Sequence, residues 1–85
     1  MYRIKIERRA EKEFEKLPPE IAGSVGRKMD SLAEEPRPHD SKRIKAMPGY
    51  LRIRVGEYRV LYRVDDAEKL VVIARIRHRR EVYRL

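Results

Sequence analysis

The chain has 85 residues, of which 42% are charged and 41% hydrophobic, with a formal net charge of +8. This length supports one domain, and the apolar share predicts a folded protein rather than a disordered polyelectrolyte. The absence of cysteine excludes disulfides and thiolate metal sites, and no apolar run reaches the ~18 residues that would span a membrane. We therefore expect residues 1–85 to form a single cytoplasmic domain with no metal or other cofactor.

The first part of the chain predicts one strand and two helices. Apolar and basic residues alternate over residues 2–6, which is the period of a strand. Apolar residues then recur every three or four positions over residues 7–17, as in an amphipathic helix. Pro18 ends this helix, and a second helix is predicted from Pro19 to about residue 35 because proline suits a first helical turn. The two helices form a predicted hairpin.

The second part predicts a loop and three strands. Residues 36–49 contain three prolines and a glycine and show little periodicity, which indicates a loop. Alternating segments follow at residues 50–55, 58–64 and 69–77, and their short connections favour an antiparallel meander. The predicted fold is α+β, with an N-terminal strand, a two-helix hairpin and a three-stranded antiparallel meander, the helices being packed on one face of the sheet.

The positive charge is concentrated in the second part. Residues 1–35 carry eight lysines and arginines and eight acids, whereas residues 36–85 carry fourteen and six. A one-sided basic field attracts polyanions, so nucleic acid, an anionic membrane surface or an acidic protein are the partner classes that the sequence favours.

Alternation along the three meander strands sorts their side chains onto two faces. One face is almost entirely apolar and is predicted to pack on the helices. The other face collects six arginines and, on the last strand, Val71 and Ile73. The acids of this region fall in the turns, so we expect the arginines to lack carboxylate partners, although an ion-pair network of the thermostable kind is the alternative. The six arginines are Arg52, Arg54, Arg59, Arg63, Arg75 and Arg77.

Two segments carry a resemblance to a known family. MPGYLRIRVGEYRVLYRV at residues 47–64 and RIRHRREVYR at residues 75–84 resemble the RelE/ParE superfamily of toxins from toxin–antitoxin pairs, in particular its RelE branch. The LPPEI break at residues 17–21 and the order of elements fit the same resemblance. It implies a ribosome-dependent endoribonuclease that cuts messenger RNA in the A site of a 70S-type ribosome. It also implies an acidic RelB-like antitoxin as partner.

The resemblance also implies a set of site residues. RelE-like toxins place a basic pair on the first meander strand, an arginine early on the second, and an arginine and a tyrosine near the C-terminus. In this chain the matching residues are Arg52, Arg54, Arg59, Arg77 and Tyr83. Cleavage without a metal would use the ribose 2′-hydroxyl as nucleophile, and the arginines would stabilise charge on the phosphate.

The chain departs from the best-known RelE pattern, which has lysines where this chain has Arg52 and Arg54. Arginine stays protonated in proteins and cannot act as a base, so Tyr83 is the candidate base or base-stacking residue. A packed or frayed terminal tyrosine is the alternative. His78 is interpreted as structural because alternation places it opposite the arginines.

Further basic residues are predicted to form an electrostatic rim that contacts messenger or ribosomal RNA, although such charges are often only solvated. Two other function classes stay open: a non-catalytic RNA- or ribosome-binding relative, and a ParE-like inhibitor of gyrase. The predicted binding residues are Lys42, Arg43, Lys45, Arg63, Arg75, Arg79 and Arg80.

Overall fold

The computed structural model describes residues 1–81 as two helices packed on one face of a five-stranded sheet. The strand order is β1-β5-β4-β3-β2, with β1 parallel to β5 and the other pairs antiparallel. The predicted α+β fold is confirmed, and the N-terminal strand makes the sheet mixed. The elements are β1 (Arg3–Ile6), α1 (Arg8–Glu15), α2 (Pro19–Ser31), β2 (Lys42–Arg43), β3 (Tyr50–Val55), β4 (Tyr58–Asp65) and β5 (Leu70–His78).

Both helices end earlier than predicted. α1 stops at Glu15 and α2 at Ser31, whereas the predicted ends were residue 17 and about residue 35. Pro18 and Pro36 disfavour helical backbone only at the residue before each of them, so they set the furthest possible end. After Ser31 the chain continues as a tighter turn, with hydrogen bonds from Ala33 to Asp30 and from Glu34 to Ser31. Pro19 occupies the first turn of α2, as predicted.

The prediction of an uninterrupted loop at residues 36–49 is wrong at one point, because β2 lies within it. Lys42 pairs with Arg52 and Arg43 pairs with Leu51. A strand of two residues has no periodicity from which it could be recognised. The β3–β4 connection has the predicted two-residue form, with Gly56 at a φ of +58°, which favours glycine.

A bulge in β5 overturns the predicted alternation on that strand. Leu61 pairs with Arg75 and the next residue, Tyr62, pairs with Ile73, so Ala74 has no partner on β4. An extra residue reverses which face each side chain occupies. Val71 and Ile73 therefore belong to the helix-facing core, and their assignment to the arginine face is wrong.

The core lies between the two helices and the sheet. Its side chains come from both helices and from the central strands, and the Tyr62 hydroxyl donates a hydrogen bond of 2.8 Å to the backbone oxygen of Pro36. Within residues 1–81 no helix is long and apolar enough to cross a membrane. The buried members are Ala10, Val25, Met29, Leu32, Ile53, Val60, Tyr62, Val71, Ile73 and Ile76.

Three side chains, here named the Asp66 cluster, tie the N-terminal strand and the loop after α2 to the β4–β5 turn. The Tyr2 hydroxyl donates to Asp66 at 2.6 Å, and Arg37 donates two hydrogen bonds to the same carboxylate at 3.1 and 3.0 Å. The hydrogen bonds from Arg37 and then Tyr2 lower the pKa of Asp66 from 3.8 to about 2. The cluster fixes β1 beside β5 at the end of the sheet away from the β3–β4 turn.

Candidate nucleic-acid interface

Three arginines lie side by side across the face of the sheet that the helices leave open. Arg54 on β3 pairs with Arg59 on β4, and Arg59 pairs with Arg77 on β5. Directly paired residues of antiparallel strands point to the same face with Cα atoms about 5 Å apart. The register therefore aligns three cationic positions perpendicular to the strands, and we name this line the arginine row.

The open face is basic beyond this row. Lys42 pairs with Arg52, and Arg52 pairs with Leu61, whose other partner is Arg75. β1 adds two cations that the sequence analysis did not assign to this face, because its parallel pairing with β5 was not predicted. We define the basic face by Arg3, Lys5, Lys42, Arg52, Arg54, Arg59, Arg63, Arg75 and Arg77.

The cations on β2 and β3 and the central part of β4 have no carboxylate partner among residues 1–81. Lys42, Arg52, Arg54 and Arg63 form neither an ion pair nor a side-chain hydrogen bond with any residue in that range. Lys42 and Arg54 are exposed, and Arg52 and Arg63 are half-buried. This part of the basic face agrees with the predicted absence of acids.

The same prediction is wrong for the arginines of β5. Arg75 donates from Nε and Nη2 to both carboxylate oxygens of Glu13 on α1, at distances of 2.8 to 3.2 Å. The Oε1 atom of Glu13 also accepts the backbone N–H of Ile76 at 2.8 Å. β1 ends opposite Ile73, so the edge of β5 beyond it is open, and Glu13 satisfies a backbone donor there.

Arg77 is held more loosely than Arg75. Its Nε lies 3.8 Å from Glu13 Oε2, and its Nη2 lies 3.7 Å from Glu81 Oε2. Both distances fit ion pairs but are too long for hydrogen bonds. The side chain is only 14% exposed and lines a cleft of about 360 Å³ at the edge of β5. Arg77 is therefore attracted by two carboxylates while its N–H groups remain available to a ligand.

Sequence reasoning missed Glu13. The residue lies on the border of the apolar stripe of α1, three positions after the buried Ala10 and one before Phe14. The sequence signal that could have identified Glu13 is its place beside the apolar stripe of the helix, since an acid there lies at the edge of the core and needs a partner. The identity of that partner, 62 positions away, depends on tertiary packing.

The predicted rim residues do not form one surface. Arg43 lies on the helix-facing side through its pairing with Leu51, and it lines a separate cleft of about 470 Å³ together with Lys45 and Arg37. Arg79 forms an ion pair with Glu57. Of the predicted binding residues in the segment predicted as a loop, Lys42 joins the basic face.

The remaining predicted residues lie at or beyond the end of β5. The Nδ1 atom of His78 accepts the backbone N–H of Arg80, and its ring contacts Tyr58 edge to face with centroids 5.2 Å apart, which fits the structural interpretation of His78. Arg80 is exposed. Tyr83 lies outside the described residues.

The fold and the site together define a small α+β domain with an open, cationic sheet face, which suits a polyanion. The family described as the ParE toxin of the type II toxin–antitoxin system, parDE, matches residues 4–83. Toxin RelG of Mycobacterium tuberculosis is 34% identical, over 98% of this chain and 97% of that protein.

Solved structures agree with this match. The RelBE2 toxin–antitoxin complex of Mycobacterium tuberculosis contains a chain with a TM-score of 0.78 and 35% identity, covering 91% of this chain and 96% of that one. The archaeal RelE–RelB complex of Pyrococcus horikoshii gives a TM-score of 0.81 at 29% identity, over 92% and 94% of the two chains. The chain belongs to the RelE/ParE family of toxins of type II toxin–antitoxin systems, as a RelE-like member.

Proposed function

We propose that this toxin is a metal-independent endoribonuclease that cuts messenger RNA in the ribosomal A site and so inhibits translation. The observation that carries the proposal is the arginine row, in which Arg54, Arg59 and Arg77 occupy adjacent register positions on three strands. Three cationic positions in direct register across an open sheet face suit the phosphates of a nucleic-acid strand, and this supports a nuclease over a protein that inhibits gyrase by binding to it.

The spacing of the cations supports a single-stranded RNA ligand. Residues two apart along a strand, such as Arg52 and Arg54, are separated by about 7 Å, which is comparable with the distance between neighbouring phosphates of an extended strand. Guanidinium groups also bind phosphate oxygens through two parallel hydrogen bonds. Lys42 and Arg63 extend the same surface on either side of these positions.

The proposed chemistry is attack by the ribose 2′-hydroxyl on the adjacent phosphate: a bond forms between the 2′-oxygen and phosphorus, and the bond from phosphorus to the 5′-oxygen breaks. The 2′-hydroxyl loses its proton to a base, the 5′-oxygen takes a proton from water, and the products are a cyclic phosphate and a 5′-hydroxyl. Arg59 and Arg77 hold the scissile phosphate and stabilise the negative charge that develops on it. Arg52 and Arg54 position the flanking phosphate and the leaving group. Because an arginine cannot accept the proton of the nucleophile, that role is assigned to Tyr83, or else Tyr83 stacks on a base.

The proposed protein partner is an acidic antitoxin. The solved structures that resemble this chain include RelB–RelE complexes from Mycobacterium tuberculosis, Escherichia coli and Pyrococcus horikoshii. The net charge of +8 would attract an acidic chain, and the open basic face would give it a surface to neutralise.

The decisive experiment is to add the purified protein to a translating extract and map message ends by primer extension. Cuts within codons that appear only on translated message support the proposal. Arg77→Ala and Tyr83→Phe are expected to slow cutting by a factor on the order of 100 or more, since each removes a group at the reacting phosphate. Arg8→Ala, an exposed change on α1, is the control and should cut as the unmodified protein does.

Other outcomes identify the alternatives. Intact message together with blocked DNA supercoiling would identify a gyrase inhibitor, and intact message with tight ribosome binding would identify a non-catalytic relative. Binding to single-stranded RNA should weaken with salt at a log–log slope near −4, for about six phosphate contacts at ~0.7 each. A flat salt response would contradict the electrostatic basis of the proposal.

A further inference from the structure

We propose that Glu13 of α1 is a positioning residue for the nuclease, which acts through Arg77. This inference rests on the proposed function for its effect on cleavage. The geometric observation behind it is independent of that function: the Glu13 carboxylate is hydrogen-bonded to Arg75 but forms only a long ion pair with Arg77.

Glu13 accepts hydrogen bonds from the guanidinium group of Arg75 but only a longer ion-pair contact from that of Arg77. Arg75 gives three hydrogen bonds to the carboxylate, at 2.8, 3.1 and 3.2 Å, which is the bidentate geometry of a structural ion pair. The Arg77 side chain comes no closer to the same carboxylate than 3.8 Å, and it forms no hydrogen bond with any residue in the range 1–81. The guanidinium group of Arg75 therefore has a structural role, whereas that of Arg77 is attracted to Glu13 without being hydrogen-bonded to it.

The side chain of Arg77 is mostly buried but forms no hydrogen bond within residues 1–81. Both Arg75 and Arg77 have side chains that are 14% exposed. Within residues 1–81 no buried side-chain nitrogen lacks a hydrogen-bond partner, so the nitrogens of Arg77, which form no hydrogen bond there, keep some access to solvent. Arg77 keeps its donors unused because the Glu13 carboxylate is already filled by Arg75 and by the Ile76 N–H. Such a guanidinium is prepared to bind an oxyanion without first breaking a hydrogen bond of its own.

Glu13 fixes Arg77 at two points. Through Ile76 it binds the backbone of β5 beyond the end of β1, on the edge of β5 that faces away from β4. Through its charge it draws the Nε atom of Arg77 toward α1, while Nη2 lies 3.7 Å from the exposed carboxylate of Glu81. A phosphate bound by Arg59 would lie next to Arg77, because Arg59 and Arg77 are direct cross-strand partners, and it would compete with Glu81 for Nη2.

The test compares Glu13→Gln with Glu15→Gln in single-turnover cleavage on programmed ribosomes. The two changes remove the same charge from the same helix, and the exposed Glu15 forms no ion pair within residues 1–81. We expect Glu13→Gln to lower the maximal cleavage rate by about 10- to 100-fold, because a misplaced catalytic group slows the chemical step. The ribosome concentration that gives half of the maximal rate should stay within about 3-fold of the value for the unmodified protein. Glu15→Gln should be unchanged. Tighter RNA binding with undiminished cleavage by Glu13→Gln would show that Glu13 merely competes with RNA, and would overturn the proposal.

A double-mutant cycle separates positioning from a general loss of folding. If Glu13 acts through Arg77, Glu13→Gln should add less than about 2-fold to the defect of Arg77→Ala, because groups that act as a unit are not additive. Multiplicative defects would overturn the proposal. Thermal unfolding of each variant identifies a temperature at which all of them are folded, and the cleavage rates are compared at that temperature.

A third readout does not depend on nuclease activity. The Nε–Hε NMR signal of Arg77 is expected to be resolved and to shift on adding a 2′-O-methyl hexaribonucleotide, which blocks the nucleophile. In the Glu13→Gln variant the Arg77 signal should broaden or no longer shift on adding the oligonucleotide. In the Glu15→Gln variant the signal should shift as it does in the unmodified protein. A signal that Glu13→Gln leaves unaltered overturns the positioning role even if message is cut. If the unmodified protein cuts no message, the nuclease assignment fails while this signal still decides the role of Glu13.

Discussion

Replacing Arg54 by glutamine is expected to stabilise the free protein. Arg54 lies directly opposite Arg59 and two residues from Arg52 on the same face, and it shares a surface groove with Arg27 of α2. Like charges in direct cross-strand register are destabilising. Two unit charges about 6 Å apart near water repel by about 0.7 kcal/mol before salt screening. Removing Arg54 should therefore raise the free energy of unfolding by about 0.5 to 1 kcal/mol at low salt.

The assay is urea unfolding at about 20 mM and about 1 M salt, where the screening length falls from roughly 20 Å to about 3 Å. The stabilisation should shrink to below about 0.3 kcal/mol at high salt, and the same variant should bind single-stranded RNA with a log–log salt slope about 0.7 smaller in magnitude. Arg3→Gln is the matched control, since it removes one exposed arginine from a strand position opposite Leu70. The reasoning is refuted if Arg54→Gln is no more stable than Arg3→Gln at low salt, or if its gain does not depend on salt.

Three further changes test other parts of the structure. Tyr62→Phe should cost about 1 kcal/mol in urea unfolding at an unchanged m-value, because the backbone oxygen of Pro36 loses its donor. In the Asp66 cluster the folded pKa of about 2 lies below the unfolded 3.8, so its stabilisation is present above pH 4 and is lost as the pH falls toward 2. Asp66→Asn should therefore melt lower than the unmodified protein at pH 6, and the difference should vanish near pH 2. Glu81→Gln should tighten binding of single-stranded RNA by up to about 5-fold, because Glu81 is a weak, exposed competitor for Arg77.

Alternation identified the two faces of β3 and β4 from the sequence because those strands pair without interruption. Arg52, Arg54 and Arg59 lie where the period of two places them. The same rule failed on β5 at Ala74, since a bulge depends on how two strands meet and alanine carries no local signal for one.

The candidate site was predictable as a set of cations but not as a set of contacts. Arginines on one face follow from alternation, whereas the approach of Glu13 to Arg75 and Arg77 follows from where α1 packs against the edge of β5. A prediction that counted acids only on neighbouring strands could not include a carboxylate from a helix. The short strand β2 was missed for a simpler reason, because two residues cannot show a period.

The basic face divides into cations that stabilise the fold and cations that oppose it. Arg75 is paired at hydrogen-bonding distance and strengthens the contact between α1 and β5. Arg52 and Arg54 form no ion pair within residues 1–81, so no carboxylate there offsets their mutual repulsion, and apolar burial in the sheet, including that of Leu61 beside Arg52, must do so. A polyanion that binds this face relieves the repulsion, and the relief adds to its affinity. The unpaired arginines therefore cost the free protein stability, and this cost supports the proposal that the face binds an anionic polymer.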